Sequence, residues 1–330
     1  MKLFEKLKKI DAHVHFNMVR DPLFSYGSQN KFRYLSINTD MPFFPSLEEQ
    51  KKSSLDLIER HGKLLNFTTS FSCDNWNSVN WQKEVIQKIS NSIDQGAVGV
   101  KVWKNIGMSL KDDAGKYVTI DHPRFDPIFS FLEANDIVLL GHIGEPKNCW
   151  LPLDEMTVAS DCNYFSQYPE YHMYLHPECL PYEGHLKARD AMLKKHPQLR
   201  YVGLHLASEE WNTDEVARFL EDFPNAMVDL AERICHLQYQ AVSDWQKIYN
   251  FFIQYQDRII YGTDCVDDNS LTDEELVSHM DARYRMHWNF FTGNELMSAP
   301  KVVGRFKGMG LPFGIVEKIY SKNAIKTYGI

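Results

Sequence analysis

The feature that most constrains this 330-residue chain is an alternation. Short runs rich in β-branched and aliphatic residues recur eight times: KKIDAHVHF, FRYLSINTD, LLNFTTSFS, AVGVKVWKN, DIVLLGHIG, RYVGLHLAS, NAMVDLAER and RIIYGTDC. Between them lie stretches of helical period, over 46–61 behind an SLEE capping box, 81–95, 123–135, 184–196, 214–222 and 244–256. Strands that alternate with helices lie parallel, with the helices covering the sheet. Eight such strands without an internal repeat, a low-complexity linker or a Pro/Gly hinge predict one (β/α)8 TIM barrel over residues 1–330, with long loops after strands 1 and 5. Those loops are Asn17 to Ser46 and Glu145 to Glu183. The second is rich in tyrosine and suits either a lid over the barrel mouth or an aromatic surface plug.

Charge narrows the partners. Lys and Arg number 36 against 44 acidic residues, a net charge of -8, so no general positive field draws phosphate backbones and nucleic acid is not expected. The opening MKLFEKLKKI carries charges where a signal peptide needs an apolar run, and no apolar segment approaches the ~20 residues that span a bilayer. Six cysteines are scattered without a CxxC pair. The expectation is a cytoplasmic protein, clear of membranes, acting on a small molecule and free to form a homo-oligomer.

Barrel chemistry sits at the C-terminal ends of the strands, and there the polar residues collect. In an extended strand alternate side chains share a face, so His13 and His15 of DAHVH project together about 6.5 Å apart. Lys101 ends the fourth run, His142 the fifth, His205 the sixth and Asp264 the eighth. Imidazole and carboxylate suit a divalent ion of the zinc kind, which lowers the pKa of water from about 16 to about 7. Each histidine alone would read as a core residue with a backbone partner. The ordered set does not.

The set also resembles a known family. DAHVH at 11–15, GVKVW at 99–103, GHIGEP at 141–146, GLHLAS at 203–208, YGTDC at 261–265 and the closing LPFGIVEKIYSKNAIKTYG at 311–329 are similar, in order, to the amidohydrolase superfamily. The branch they resemble holds small-acid hydrolases, lactonases and decarboxylases of the aminocarboxymuconate-semialdehyde kind. That resemblance implies that His13, His15, His142 and Asp264 ligate a divalent metal, zinc first among candidates. It implies that His205 acts as base and then acid beside the bound water, with Asp264 as a second proton acceptor. One ion is expected; two would follow if Lys101 were carboxylated and bridged them, as in dihydroorotases and hydantoinases. Otherwise Lys101 binds a substrate carboxylate or pairs with Asp264 or Glu145.

Further substrate contacts are expected from Lys104, from Arg233, whose guanidinium fork matches a carboxylate, and from Trp103 as a stacking surface. Glu145 is expected to orient His142 or touch substrate. Three functions fit. A hydrolase would attack an ester, lactone or amide carbonyl, a non-oxidative decarboxylase would act on an unsaturated acid, and a non-catalytic barrel would only bind a metabolite. His176 and His185 in the long insertion are the other histidines that a lid could bring to the site.

Overall fold

The computed structural model describes residues 3–330, leaving the first two residues of the charged opening segment outside. Eight strands follow the expected runs: β1 Lys9–Phe16, β2 Phe32–Ile37, β3 Leu65–Ser70, β4 Ala97–Val102, β5 Leu139–Gly141, β6 Tyr201–Gly203, β7 Ala226–Asp229 and β8 Ile259–Ile260. A ninth, β9 Cys265–Asp267, lies only a few residues beyond β8. All pair in parallel in the order β8-β7-β6-β5-β4-β3-β2-β1-β9. The chain thus leaves β8 at one edge of the sheet and joins β1 at the other. Ala12 N–H donates to Tyr261 O at 3.0 Å and Asp264 N–H to His13 O at 2.8 Å, so the crossing segment is itself bonded to β1. The sheet curls until its edges meet, which is consistent with a TIM barrel.

Each strand is buried along almost its whole length, which is why it reads as a continuous apolar run rather than an alternation. Ile10, Leu35, Leu140, Val202 and Ile260, from five different strands, fall in one core cluster with Ala324 and Tyr328. Helices Leu47–His61, Trp81–Asp94, Asp126–Ala134, Tyr182–Lys195, Thr213–Asp222 and Trp245–Gln254 stand where helical period placed them. At the first of these Ser46 and Glu49 form the reciprocal cap that SLEE announces.

Other helices were not expected. The longest, Asp273–Thr292, opens with the same device, a capping box between Thr272 and Glu275. Its buried residues, among them Leu276, Met280, Tyr284, His287 and Phe291, recur at helical spacing on one face, but the tyrosine and histidine there thin the apolar stripe. The last helix changes pitch: Phe313–Glu317 passes into a π turn over Lys318–Lys322 before Asn323–Tyr328. In that region the Ile319 carbonyl accepts the Tyr261 N–H at 3.0 Å, tying the end of the chain to the crossing segment.

The region after β1 contains helix Pro22–Asn30, and the region after β5 runs through short helical turns and one longer helix, Ala159–Gln167, before Tyr182–Lys195. Among the described residues no helix is long and apolar enough to cross a membrane.

Candidate metal centre

His13 and His15 sit side by side on β1, their ring centroids 5.4 Å apart. Each imidazole is oriented through one nitrogen. His15 Nδ1 lies 2.6 Å from Ile37 O and His205 Nδ1 lies 2.9 Å from Ala231 O. A carbonyl can only accept, so both Nδ1 atoms carry the proton and both Nε2 atoms present a lone pair. His13 Nδ1 likewise donates, to Asp229 Oδ2 at 2.6 Å. Asp264 Oδ1 stands 3.1 Å from His13 Nε2 and 3.1 Å from His15 Nε2.

These separations test the fit of an ion. Ligand bonds of about 2.0 Å in a tetrahedral site put neighbouring donor atoms about 3.3 Å apart. The two histidine–carboxylate separations, each 3.1 Å, meet that condition within a few tenths of an ångström, and the three donors of His13, His15 and Asp264 lie within 4.8 Å of one another. A second group within the same limit joins His13, His205 and Asp229. The Nε2 atoms of His13, His142 and His205 are buried and have no hydrogen-bond partner. Buried unpaired nitrogens are costly, and three of them facing one region are what an ion would satisfy.

His142 is the looser member. Its ring is 4.3 Å from that of His205, but among the described residues it belongs to no group of donors within 4.8 Å, and its Nε2 lies 3.6 Å from Glu145 Oε2. Burial lowers the pKa of His15 and of His142 to about 4 and that of His205 well below the usual value, so all three rings are neutral at neutral pH. Burial opposes ionisation of Asp264 too, yet His13 and the other imidazoles hold its carboxyl well below the usual range.

The backbone at two of these positions is strained. β6 stops at Gly203, and His205, Leu206, Ala207 and Ser208 all take left-handed φ, between 57° and 59°. That conformation costs roughly 1 kcal/mol or more per residue that is not glycine. Asp229 Oδ1 accepts the His205 N–H at 2.5 Å and anchors the turn, which swings the ring under His13. Asp264 also has positive φ, 61°, and the preceding turn is braced by Asp11, whose carboxylate accepts from Thr263 N, Thr263 Oγ1 and Tyr284 OH. Gly262 is required by proximity: a Cβ there would lie 2.7 Å from His13 Cβ. Gly262→Ala is expected to push strand 8 from strand 1, costing about 1–3 kcal/mol. Denaturant titration of the variant checks this, and wild-type stability with wild-type metal content would refute it.

A cavity of about 350 Å³ opens above the histidines. His15, His142, His205 and Asp264 form its floor, and Lys101, Trp103, Lys104, Glu145 and Arg233 line it, so of the expected ligands and substrate contacts all but His13 reach it. Lys104, just beyond β4, forms an ion pair with Glu145, just beyond β5, and both line the cavity. Lys101 makes no ion pair with Asp264 or Glu145; burial lowers its pKa to about 8, partly offset by Asp264 and Asp229. Of the tyrosine-rich insertion only part reaches the cavity, Tyr164 and Phe165 with Ser160 and Asp161, while Tyr168, Tyr171 and Tyr174 face solvent. His176 bonds Pro169 O and His185 packs on Gly107 and Gly144; neither lines the cavity.

The geometry belongs to a recognisable class. The amidohydrolase family profile matches residues 76–330. The chain belongs to the amidohydrolase family. The match starts beyond β1, so the HxH pair lies outside the matched span. No curated protein matches in sequence. Solved structures do match in fold. A 2,6-dihydroxybenzoate decarboxylase from Rhizobium has 12% identity and a TM-score of 0.57, over 98% of this chain and 99% of that one. A 5-carboxyvanillate decarboxylase from Novosphingobium aromaticivorans, complexed with manganese and 4-hydroxy-3-methoxy-5-nitrobenzoic acid, has 12% identity and a TM-score of 0.52 over 99% and 97%. A 4-oxalomesaconate hydratase from Rhodopseudomonas palustris has 11% identity and a TM-score of 0.51 over 97% and 95%.

Three residues of this amidohydrolase site were not singled out in the sequence. Asp229 ends β7 as Asp264 follows β8, a carboxylate closing an apolar run, and that parallel was the available signal. Asp11 stands two residues before the first histidine. Asp161 lies in the insertion, held by Asn148 at 2.9 Å and 3.3 Å from His236, and no local pattern marks it.

Proposed function

We propose that this amidohydrolase-family enzyme is a metal-dependent hydrolase acting on the carbonyl of a small, carboxylate-bearing ester, lactone or amide, within a single barrel domain over residues 1–330. The observation that carries the reading is that His13, His15 and His205 are each fixed through Nδ1, with the Nε2 atoms of His13 and His15 both 3.1 Å from Asp264 Oδ1 and those of His13 and His205 unpaired. His13, His15, His142 and Asp264 would hold one divalent ion. Such an ion, zinc or manganese, supplies Lewis-acid polarisation and acidifies water to a pKa near 7.

The chain's own groups supply the rest. His205 is neutral, with its Nδ1 proton committed to Ala231 O, so Nε2 can take a proton from water and return it to the leaving group. Asp264 offers a second acceptor at the same floor. Lys101, Lys104 and Arg233 offer cations for a substrate carboxylate among the lining carboxylates Glu145, Asp161, Glu232 and Asp264, with Lys104 paired to Glu145 and Trp103 beside it as a flat surface. The six cysteines are unpaired, which supports the cytoplasm as its compartment.

A second reading, non-oxidative decarboxylation, draws on the same cations and on the relatives that are decarboxylases. Chelation followed by zinc or manganese is expected to abolish and restore turnover on a panel of lactones, amides and unsaturated acids. Acid release without carbon dioxide supports the hydrolase, carbon dioxide release the decarboxylase, and turnover indifferent to chelation defeats both.

A further inference from the structure

At the other end of the barrel, where the strands begin, lies an open groove of about 720 Å³ lined by Lys8, Lys31, Arg33 and Lys63 and by no acidic side chain. On a chain of net charge -8 that composition is unusual. None of these four cations has a carboxylate in pairing distance among the described residues.

The groove is also partly preorganised. Arg33 is held by Lys63 O at 2.9 Å through Nε and by Asn66 Oδ1 at 3.3 Å through one Nη, leaving the other Nη to a ligand. Lys31 occupies a left-handed turn, φ 59°, at the end of helix Pro22–Asn30, a position cheaper for Gly or Asn. The turn places Lys31 two residues before Arg33, at the start of β2. Phe32, Leu64 and Ile330 give the groove an apolar edge.

We propose that this groove binds a small metabolite bearing two phosphate groups. Each phosphate carries about −1.5 to −2 charges at neutral pH, so two of them balance four cations, and a convergent set of unpaired cations focuses the field that recruits such an anion. A single phosphate would leave half of the positive charge unmatched.

The test is calorimetric titration of the metal-loaded protein at low salt with fructose 1,6-bisphosphate as probe, fructose 6-phosphate as control and phosphatidylglycerol vesicles as a separate arm. One bisphosphate per chain is expected, weakening as salt is added and bound about tenfold more tightly than the monophosphate. Lys31→Asn with Lys63→Glu, which keeps a residue tolerant of the left-handed turn, is expected to weaken binding by about tenfold or more with its thermal midpoint unchanged. Arg33→Gln provides a second variant should the first fail to fold. No binding by the wild type, equal affinity for the monophosphate, or unchanged affinity in the variants, which would place the probe in the barrel mouth, each overturns the proposal. So does capture of vesicles without binding of the bisphosphate.

Discussion

His15→Ala is expected to lose its metal and its turnover together, the latter by about 10³-fold or more, since a Lewis-acid ion contributes several kcal/mol to the transition state. The imidazole is fixed by Ile37 O on one side and meets Asp264 Oδ1 on the other, so its removal deletes one vertex of the donor set and frees the carboxylate that the other vertices share. Elemental analysis alongside the activity assay checks the expectation. Stoichiometric, tightly held metal in the variant would remove His15 from the ligand set, and full turnover without metal would remove the ion from the reaction.

Asp229→Asn is expected to weaken metal binding by about 10–100-fold while leaving the ligands themselves in place. Asp229 serves two clients: Oδ2 takes the His13 Nδ1 proton at 2.6 Å and Oδ1 takes the His205 main-chain proton at 2.5 Å. An amide offers one acceptor and one pair of donors, so at least one of these contacts is lost, and a buried unpaired group costs about 1–3 kcal/mol. The strained turn at His205–Ser208 then has less to hold it. Competition against a chelator reads the affinity and a denaturant curve reads the stability. Wild-type values for both would show that Asp229 merely fills space.

Most of this architecture was legible because parallel strands buried on both faces write themselves as apolar runs, and eight of them appear in the sequence. The ligand candidates were legible for a related reason, since a charged or imidazole residue closing such a run has little else to do than face the barrel mouth. Asp229 met that description and was passed over because its run, AMVD, lacks a neighbouring motif. Other features had no local signature. That His205 rides a left-handed turn depends on a carboxylate from the next strand, and that Asp161 reaches the cavity depends on how a long insertion folds back. Helix Asp273–Thr292 is marked most clearly by its cap, because the tyrosine and histidine on its buried face thin its apolar stripe.

The π turn near the end of the chain has a consequence for biosynthesis. It supplies the carbonyl that holds Tyr261, three residues before Asp264, in register with strand 1. During ribosomal emergence every proposed donor is therefore already translated while the brace that aligns the last of them is still missing. A nascent chain stalled before Ile319 therefore holds all the proposed donors without that bond, and has only the Asp11 contacts and the Asp264 N–H bond to His13 O to set the last of them.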